Sequence, residues 1–420
     1  MKSDEARDLG RAAGPVLRQL TGLVRGAHFA ISDTVNDTLT RALGPSVRPI
    51  RAVSDAATAG VYATVGLALD AGSQVAGVVA AHRLQRQGDQ GPSVHDGAGA
   101  HYALPISLGL RGDTIARDAV RLAPAMHLRH NGHQVYLDPE AITEAYGQVT
   151  AEIAVFLHGL FETERAWDLG THDRASYTTR LSSDLGLTPV TLRFNTGLRI
   201  SENALTLSEV LDGLVAAWPA PVERMVLIGH SMGGLVIHGA LAAAADAADR
   251  GEPPAWTALV TDTVALGSPH HGSAIARAVA GAAHTFGQSP KGEWLADFLR
   301  FRSVGLRDLM HGNIVAADWE GHDPDDREDR RTHPLPYPDI DHYAVVGLIA
   351  GGRLSEQLAD RLGDLVVDGP SASHRVAEPG RSRFGVDGVA VVPGIGHFAL
   401  LNNNEVYTHL HRWLAATSPE

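Results

Sequence analysis

Apolar positions along this chain change their spacing twice. Over residues 1 to about 85 they recur at every third or fourth place, through Leu17, Leu20, Leu23 and Val24 and again from Val53 to Val79. That period predicts two or three amphipathic helices. Gln85 to Gly99 interrupts it with Gly, Gln, Ser and Asp, as a linker does. Met126 to His130 and His133 to Leu137 then form two β-like segments around Asn131-Gly132. This dipeptide tolerates positive φ at both centres of a type I′ turn, so a β-hairpin is expected.

From there short apolar runs alternate with helical stretches. The runs are Ile153 to Leu157, Val190 to Phe194, Met225 to Ile228, Thr263 to Leu266, Tyr343 to Leu348 and Val389 to Val392. Helices are expected near Tyr177 to Leu185, Glu202 to Ala217, Gly234 to Ala248 and Glu405 to Ala415. Continuous apolar strands separated by helices predict an α/β fold, a mostly parallel sheet covered on both faces and preceded by the antiparallel hairpin. Between Gly272 and Tyr343 no β-like run occurs, and the Ala-rich stretch Ala274 to Ala283 with Trp294 to Phe301 suggests a helical cap. The expected organisation is a helical region with linker over 1–98 and an α/β domain over 99–420, the cap inserted at about 273–341.

Composition narrows the chemistry. The chain carries 35 Lys and Arg against 48 Asp and Glu, a formal charge of −13, with no basic cluster to follow a phosphate backbone, so no nucleic-acid partner is expected. It has no cysteine, which removes disulfides and a thiolate nucleophile. The acidic start, Met-Lys-Ser-Asp-Glu, lacks the basic and apolar segments of a secretory signal, and a cytoplasmic location is expected. Ala59 to Ala81 is apolar enough to raise a membrane span. Asp70, Ser73, Gln74 and its glycines favour a buried or peripheral helix instead.

The strongest chemical signal is Gly229-His230-Ser231-Met232-Gly233, placed between the apolar run Met225 to Ile228 and the helical stretch from Gly234. Strand, tight turn and helix around Gly-x-Ser-x-Gly raise a serine hydroxyl above the sheet edge. A serine alcohol needs a neutral imidazole to take its proton and a carboxylate to fix that imidazole's tautomer. His397, in Gly394-Ile395-Gly396-His397 after the last apolar run, is placed to be the base. The acid belongs between Leu348 and His397, where Asp360, Asp364 and Asp368 compete. Asp364 is preferred because Gly363-Asp364 forms a turn before Leu365-Val366-Val367, and Asp368 remains its rival. Asp262 is expected to precede its strand, at the wrong end of the sheet.

Two backbone amides must face the developing oxyanion. Those of Met232, after the serine, and Leu160, in Phe156-Leu157-His158-Gly159-Leu160, are expected to do so. His158 is expected to brace this loop. With Gly159, His230, Pro269 and His270 it makes up the expected substrate-binding set. Pro269-His270-His271-Gly272 lacks the spaced third ligand of a metal site, and Asp323, Asp325 and Asp326 lack the spacing of a calcium loop, so neither metal nor cofactor is expected.

These motifs, Phe-Leu-His-Gly-Leu (156–160), Gly-His-Ser-Met-Gly-Gly (229–234), Leu-Gly-Ser-Pro-His-His-Gly-Ser (266–273), Gly-Asp-Leu-Val-Val (363–367) and Gly-Ile-Gly-His (394–397), resemble those of bacterial esterases and lipases of the α/β-hydrolase superfamily. The Ser-Pro-His-His-Gly-Ser segment resembles the lipase and GPI inositol-deacylase-like branch. The resemblance covers about residues 120 to 415. It implies Ser231 as nucleophile, Asp364 as acid, His397 as base and hydrolysis of carboxylic esters of lipids and related alcohols. Acyl transfer by the same three residues, and a non-catalytic binding protein that keeps the fold, stand as alternatives. The N-terminal helices lie outside the motifs, and they are expected to cover the active-site mouth, to pair with a second copy of the chain, or to lie on a membrane surface through the Val61 to Val79 face.

Overall fold

The computed structural model describes residues 103–118, 123, 125–273, 277, 302–322, 328–349, 363–374 and 383–416. The expected N-terminal helices and linker, the helical stretch from Ala274, Trp294 to Phe301, and Asp360 lie outside these residues. The chain divides after Ser107, and the second unit, Leu108–Glu420, carries the fold described here.

Among the described residues eight strands form one sheet: β1 (His127–His130), β2 (His133–Val135), β3 (Glu152–Leu157), β4 (Thr188–Arg193), β5 (Arg224–His230), β6 (Val260–Leu266), β7 (Asp341–Leu348) and β8 (Val389–Pro393). Their order is β2-β1-β4-β3-β5-β6-β7-β8. β1 runs antiparallel to β2 and β4, and every other pairing is parallel. The hairpin turn has φ 50° at Asn131 and 83° at Gly132, the double positive φ that this dipeptide permits.

The helices are α1 (Ala103–Asp118), α2 (Pro139–Tyr146), α3 (Tyr177–Leu185), α4 (Ile200–Ala217), α5 (Met232–Asp249), α6 (Val304–His311), the short α7 (Gly369–Ala372) and α8 (Asn404–Ala416). Strand alternation decides which helices cover which face. Ile153, Val155 and Leu157 of β3 and Met225 and Leu227 of β5 pack with α4 and α5 side chains such as Leu207, Leu211 and Leu235. Their neighbours Ala154, Phe156, Val226 and Ile228 pack with Tyr177, Leu181, Leu410 and Trp413 from α3 and α8. Each such large side chain, removed fully from water, stabilises the fold by about 1.5–3 kcal/mol. β3 and β5 are thus buried on both faces, which is why they read as continuous apolar runs.

Three elements differ from the pattern-based expectation. α1 and α2 are additional to the expected helices, although Asp138 accepts from the amides of Glu140 and Ala141 at 3.0 Å each and Pro139 opens α2, both start signals. Asp262 lies within β6, and its carboxylate receives Arg224 Nη2 at 2.9 Å. This buried pair joins β5 to β6, and the same guanidinium nitrogen reaches the Leu414 carbonyl at 2.7 Å. Within the expected cap, α6 docks on the start of α4: Asp308 accepts from Arg199 Nη1 at 2.5 Å and the Ile200 amide at 3.0 Å.

The turn after β5 is packed to its limit. A Cβ on Gly229 would lie 2.3 Å from the Gly234 nitrogen, backbone against backbone. Gly229→Ala should therefore cost at least the upper end of the ~1–3 kcal/mol typical of overpacking, read as a lowered urea midpoint with an unchanged m value.

Candidate active site

Ser231 is the residue on which the strand-to-helix turn pivots. It has φ 52° and ψ −119°, a region that costs a non-glycine residue of the order of 1–3 kcal/mol. The turn is held by its amide, which donates to the Leu266 carbonyl at the end of β6 at 2.9 Å. Ser231 is largely buried, with 7 % of its surface exposed.

His397 begins a short 3-10 turn, His397–Leu401, that follows β8 and the Gly394-Ile395-Gly396 loop. Its Nδ1 lies 2.6 Å from Asp364 Oδ2. The other carboxylate oxygen accepts from the amides of Val366 at 2.9 Å and Val367 at 2.8 Å, and the His397 amide donates to the Asp364 carbonyl at 3.1 Å. Both oxygens of Asp364 are therefore committed, one to the turn and one to the imidazole. Burial would push the His397 imidazole down, but the Asp364 charge and hydrogen bond, with Glu162 behind them, carry it above its ordinary value. Asp368 has other work. It caps α7 by accepting from the Ser371 amide at 2.8 Å and pairs with Arg277 at 3.1 Å.

Gly267 ties these parts together. It follows Leu266, whose carbonyl holds the Ser231 amide, and a Cβ at Gly267 would stand 3.0 Å from Asp364 Oδ2 and 3.2 Å from His397 Nδ1. The serine turn and the Asp364–His397 pair thus meet at one strand end, and the absent side chain keeps the meeting place open. The loop after β3 closes on the same point: a Cβ on Gly159 would lie 3.0 Å from Ser231 Cβ. Leu160 follows this glycine, and Met232 opens α5, where a first-turn amide has no carbonyl partner within its helix.

His158 stiffens the loop from below. Its Nε2 accepts from the Phe194 amide at 3.3 Å, so Nδ1 carries the proton and donates to the Gly159 carbonyl at 2.9 Å. The ring stacks on Phe194 at 4.4 Å, and burial lowers its pKa, which keeps this neutral tautomer.

The sequence pattern of the Alpha/beta hydrolase family matches residues 154–409, from β3 into α8. The chain belongs to the Alpha/beta hydrolase family. Among solved structures, the mature Bacillus licheniformis lipase BlEst2 is 18% identical, over 64% of this chain and 94% of that one, with a TM-score of 0.40. Staphylococcus hyicus lipase is 14% identical, over 64% and 96%, with a TM-score of 0.36. A structure from a study of carboxylesterases of Nitrososphaera gargenis is 16% identical, over 64% and 92%, with a TM-score of 0.35. No curated protein sequence matches the chain.

In this alpha/beta hydrolase one residue near the serine belongs to none of the expected site positions. Glu162 Oε2 accepts from the Gly159 amide at 2.6 Å and lies 3.0 Å from His230 Nδ1. His230 Nε2 in turn lies 3.3 Å from the His397 carbonyl. The ring of His230 thus bridges the Glu162 carboxylate and the His397 backbone. Burial would raise the Glu162 carboxyl, but His230 and the Gly159 amide hold it below the usual carboxylate range. The sequence signal for it is a carboxylate two residues beyond Leu160, in the loop after the first parallel strand. A search for carboxylates as the third member of the serine group passes over that position.

Pro269 and His270 sit on the loop leaving β6. Pro269 is buried, and the His270 ring lies 5.0 Å from that of His238 and 5.7 Å from that of His374, within a cleft whose lining includes none of Ser231, Asp364 and His397. Among the described residues no helix is long and apolar enough to cross a membrane.

Proposed function

We propose that this chain is a serine carboxylic-ester hydrolase. The observation that carries the reading is the 2.6 Å Asp364–His397 contact beside a serine held at φ 52°. His397 takes the Ser231 proton as Oγ bonds to the ester carbonyl carbon. The oxygen, now negative, is met by the amides of Leu160 and Met232, a contribution on the order of several kcal/mol at the transition state. Collapse breaks the bond to the alcohol oxygen, which receives the proton from His397. Water, deprotonated by the same imidazole, then releases the acid and restores Ser231.

The substrate is a lipid-like or medium-chain ester. Support comes from large apolar side chains exposed next to the reacting groups: Phe398 beside His397 at 61 % exposure and Leu365 beside Asp364 at 42 %. Each offers an apolar acyl chain a surface beside the Asp364–His397 pair. The apolar content of the expected cap, Ile275, Val279, Trp294, Phe298 and Leu299 among it, points the same way.

A p-nitrophenyl ester series from acetate to laurate tests this. The expected result is a burst of p-nitrophenol of one equivalent per chain, an acyl adduct on Ser231 by mass spectrometry, and kcat/KM that rises from acetate into the medium chain lengths. No turnover above background anywhere in the series would overturn the reading.

The Glu162–His230 pair is a positioning device in this scheme, because it fastens the Gly159 amide on one side and the His397 backbone on the other. Glu162→Gln keeps the shape and removes the charge. A displacement of the loop by about 1 Å is worth on the order of 100-fold, so kcat should fall by about 10- to 100-fold with KM little changed, while Glu162→Asp recovers part of the loss.

A further inference from the structure

Among the described residues Arg383 is a buried cation that no carboxylate contacts. Only 6 % of it is exposed. Its Nη2 donates to the Pro334 carbonyl at 3.1 Å, and among the described residues its Nε has no partner and no carboxylate pairs with it. Burial pulls its pKa down to about 10, which leaves it protonated at neutral pH. Folding removes such a group from water at a large cost unless an opposite charge joins it.

The surroundings supply donors instead of that charge. Arg383 lines a small cleft, open at its mouth, with His270, His333, His374 and Arg331. His270 is buried and its Nε2 is unpartnered among the described residues. His374 Nδ1 accepts from the Arg383 amide at 3.1 Å, so its proton sits on Nε2, free to donate. Arg331 is neutralised by Asp329, at 2.8 and 2.5 Å, and donates to the His270 carbonyl. Asp318 is the one carboxylate in the lining, and both its oxygens are occupied: Oδ2 by the amides of Ile314 and Val315, Oδ1 by the amide and hydroxyl of Thr332. A metal ion does not suit this place. The histidines are gathered around a guanidinium that repels cations, and among the described residues no group of three or more metal-ligating side chains has the geometry to hold one.

We infer that this cleft is a binding site for a phosphate-type oxyanion, with Arg383 as its counter-charge and His270 and His374 as hydrogen-bond donors. A compact tetrahedral anion satisfies the unpartnered nitrogens together and removes the isolated charge. It arrives as free phosphate or as the head of a phosphomonoester, since the cleft is open at its mouth. The site is independent of the ester chemistry at Ser231, and its test reads binding and not hydrolysis.

The full chain is titrated calorimetrically at constant ionic strength with inorganic phosphate and, separately, with glycerol 3-phosphate. Saturable binding of either one below about 1 mM is expected, with a Tm that climbs with ligand concentration as linkage requires. Binding of both assigns the site to phosphomonoester heads as well as the free ion, and binding of phosphate alone assigns it to the free ion. Arg383→Gln should bind at least about tenfold more weakly and, in phosphate-free buffer, melt no lower than the unsubstituted chain, because the isolated charge is gone. His270→Phe, which keeps a ring and removes the donor, should weaken binding too and serves if Arg383→Gln does not fold. Failure of both ligands to saturate the unsubstituted chain by about 10 mM, or an equal Tm rise in a folded Arg383→Gln, overturns the inference. The first result would mean that the charge is met from within the chain, the second a general salt effect.

Discussion

Ser231→Ala is expected to lower kcat for ester hydrolysis by about 10⁴- to 10⁶-fold, the range seen when a hydrolytic serine is removed and only the oxyanion amides and binding remain. Labelling by a fluorophosphonate probe should vanish with it. The size of the effect follows from the arrangement, since among the described residues no other hydroxyl takes this position above the end of β5, and a water in its place has no bond to the chain to hold it. Folding should be nearly unaffected. Alanine at φ 52° is as strained as serine, so the unfolding midpoint should move by less than ~0.5 kcal/mol equivalent. Ser231→Gly separates strain from chemistry: glycine adopts this φ freely, so that variant should be more stable by about 1 kcal/mol and equally inactive. Retained labelling in Ser231→Ala would sink the assignment of the nucleophile.

The parts of the molecule that are legible in the sequence are those whose physics is local. Asn131-Gly132 encodes its own turn, and Gly229 to Gly233 encodes a turn in which backbone approaches backbone, so a few consecutive residues suffice to place both the hairpin and the serine turn. The parallel strands are legible because burial on both faces leaves continuous apolar runs. Strand order is not, since nothing in the apolar runs of β3 and β4 says that β4 lies between β1 and β3. α1 leaves no clear pattern because its packing is tertiary: a Cβ on Gly109 would fall within 2.4 Å of the Phe161 ring and one on Gly112 within 2.0 Å of Asn195 Oδ1. Those contacts lie far from α1 along the chain, and the helix itself bends at Arg111.

Around the serine, position along the fold identifies Ser231 and His397 as candidates, because both follow strands and sit among glycines. Glu162 has no such mark, since its partners, the Gly159 amide and His230, are joined to it only by the folded loop. The donors around Arg383 are dispersed along the chain, His270 in the loop after β6 and His374 in the segment after α7, so that the histidine pair His270-His271 reads as a weak metal motif. Asp364 and Asp368 lie four residues apart, and no period or spacing separates them. Only their partners do.

Asp364→Asn and Asp368→Asn turn that difference into a measurement. In Asp364→Asn the side-chain oxygen can still accept from the amides of Val366 and Val367, which leaves the amide NH₂ facing His397 Nδ1. Nδ1 must then accept, and the imidazole proton moves to Nε2, the nitrogen needed to receive the Ser231 proton. A base in the wrong tautomer costs about 10⁴-fold in kcat. The pH profile should move as well. In the proposed mechanism activity rises as His397 loses its proton, and Asp364 holds that imidazole above its ordinary value, so removing the carboxylate charge should shift the acidic limb of the residual activity to lower pH. Asp368→Asn has little to lose. Asparagine caps a helix as well as aspartate, so the bond to the Ser371 amide survives. The pair with Arg277 is partly exposed, at 22 % and 42 % for the two side chains, and such pairs contribute at most about 1 kcal/mol. Near-normal kcat and an unshifted pH limb are expected there. A large loss in Asp368→Asn alongside normal turnover in Asp364→Asn would exchange their roles, and it would require His397 to leave the 2.6 Å contact in which the structure holds it.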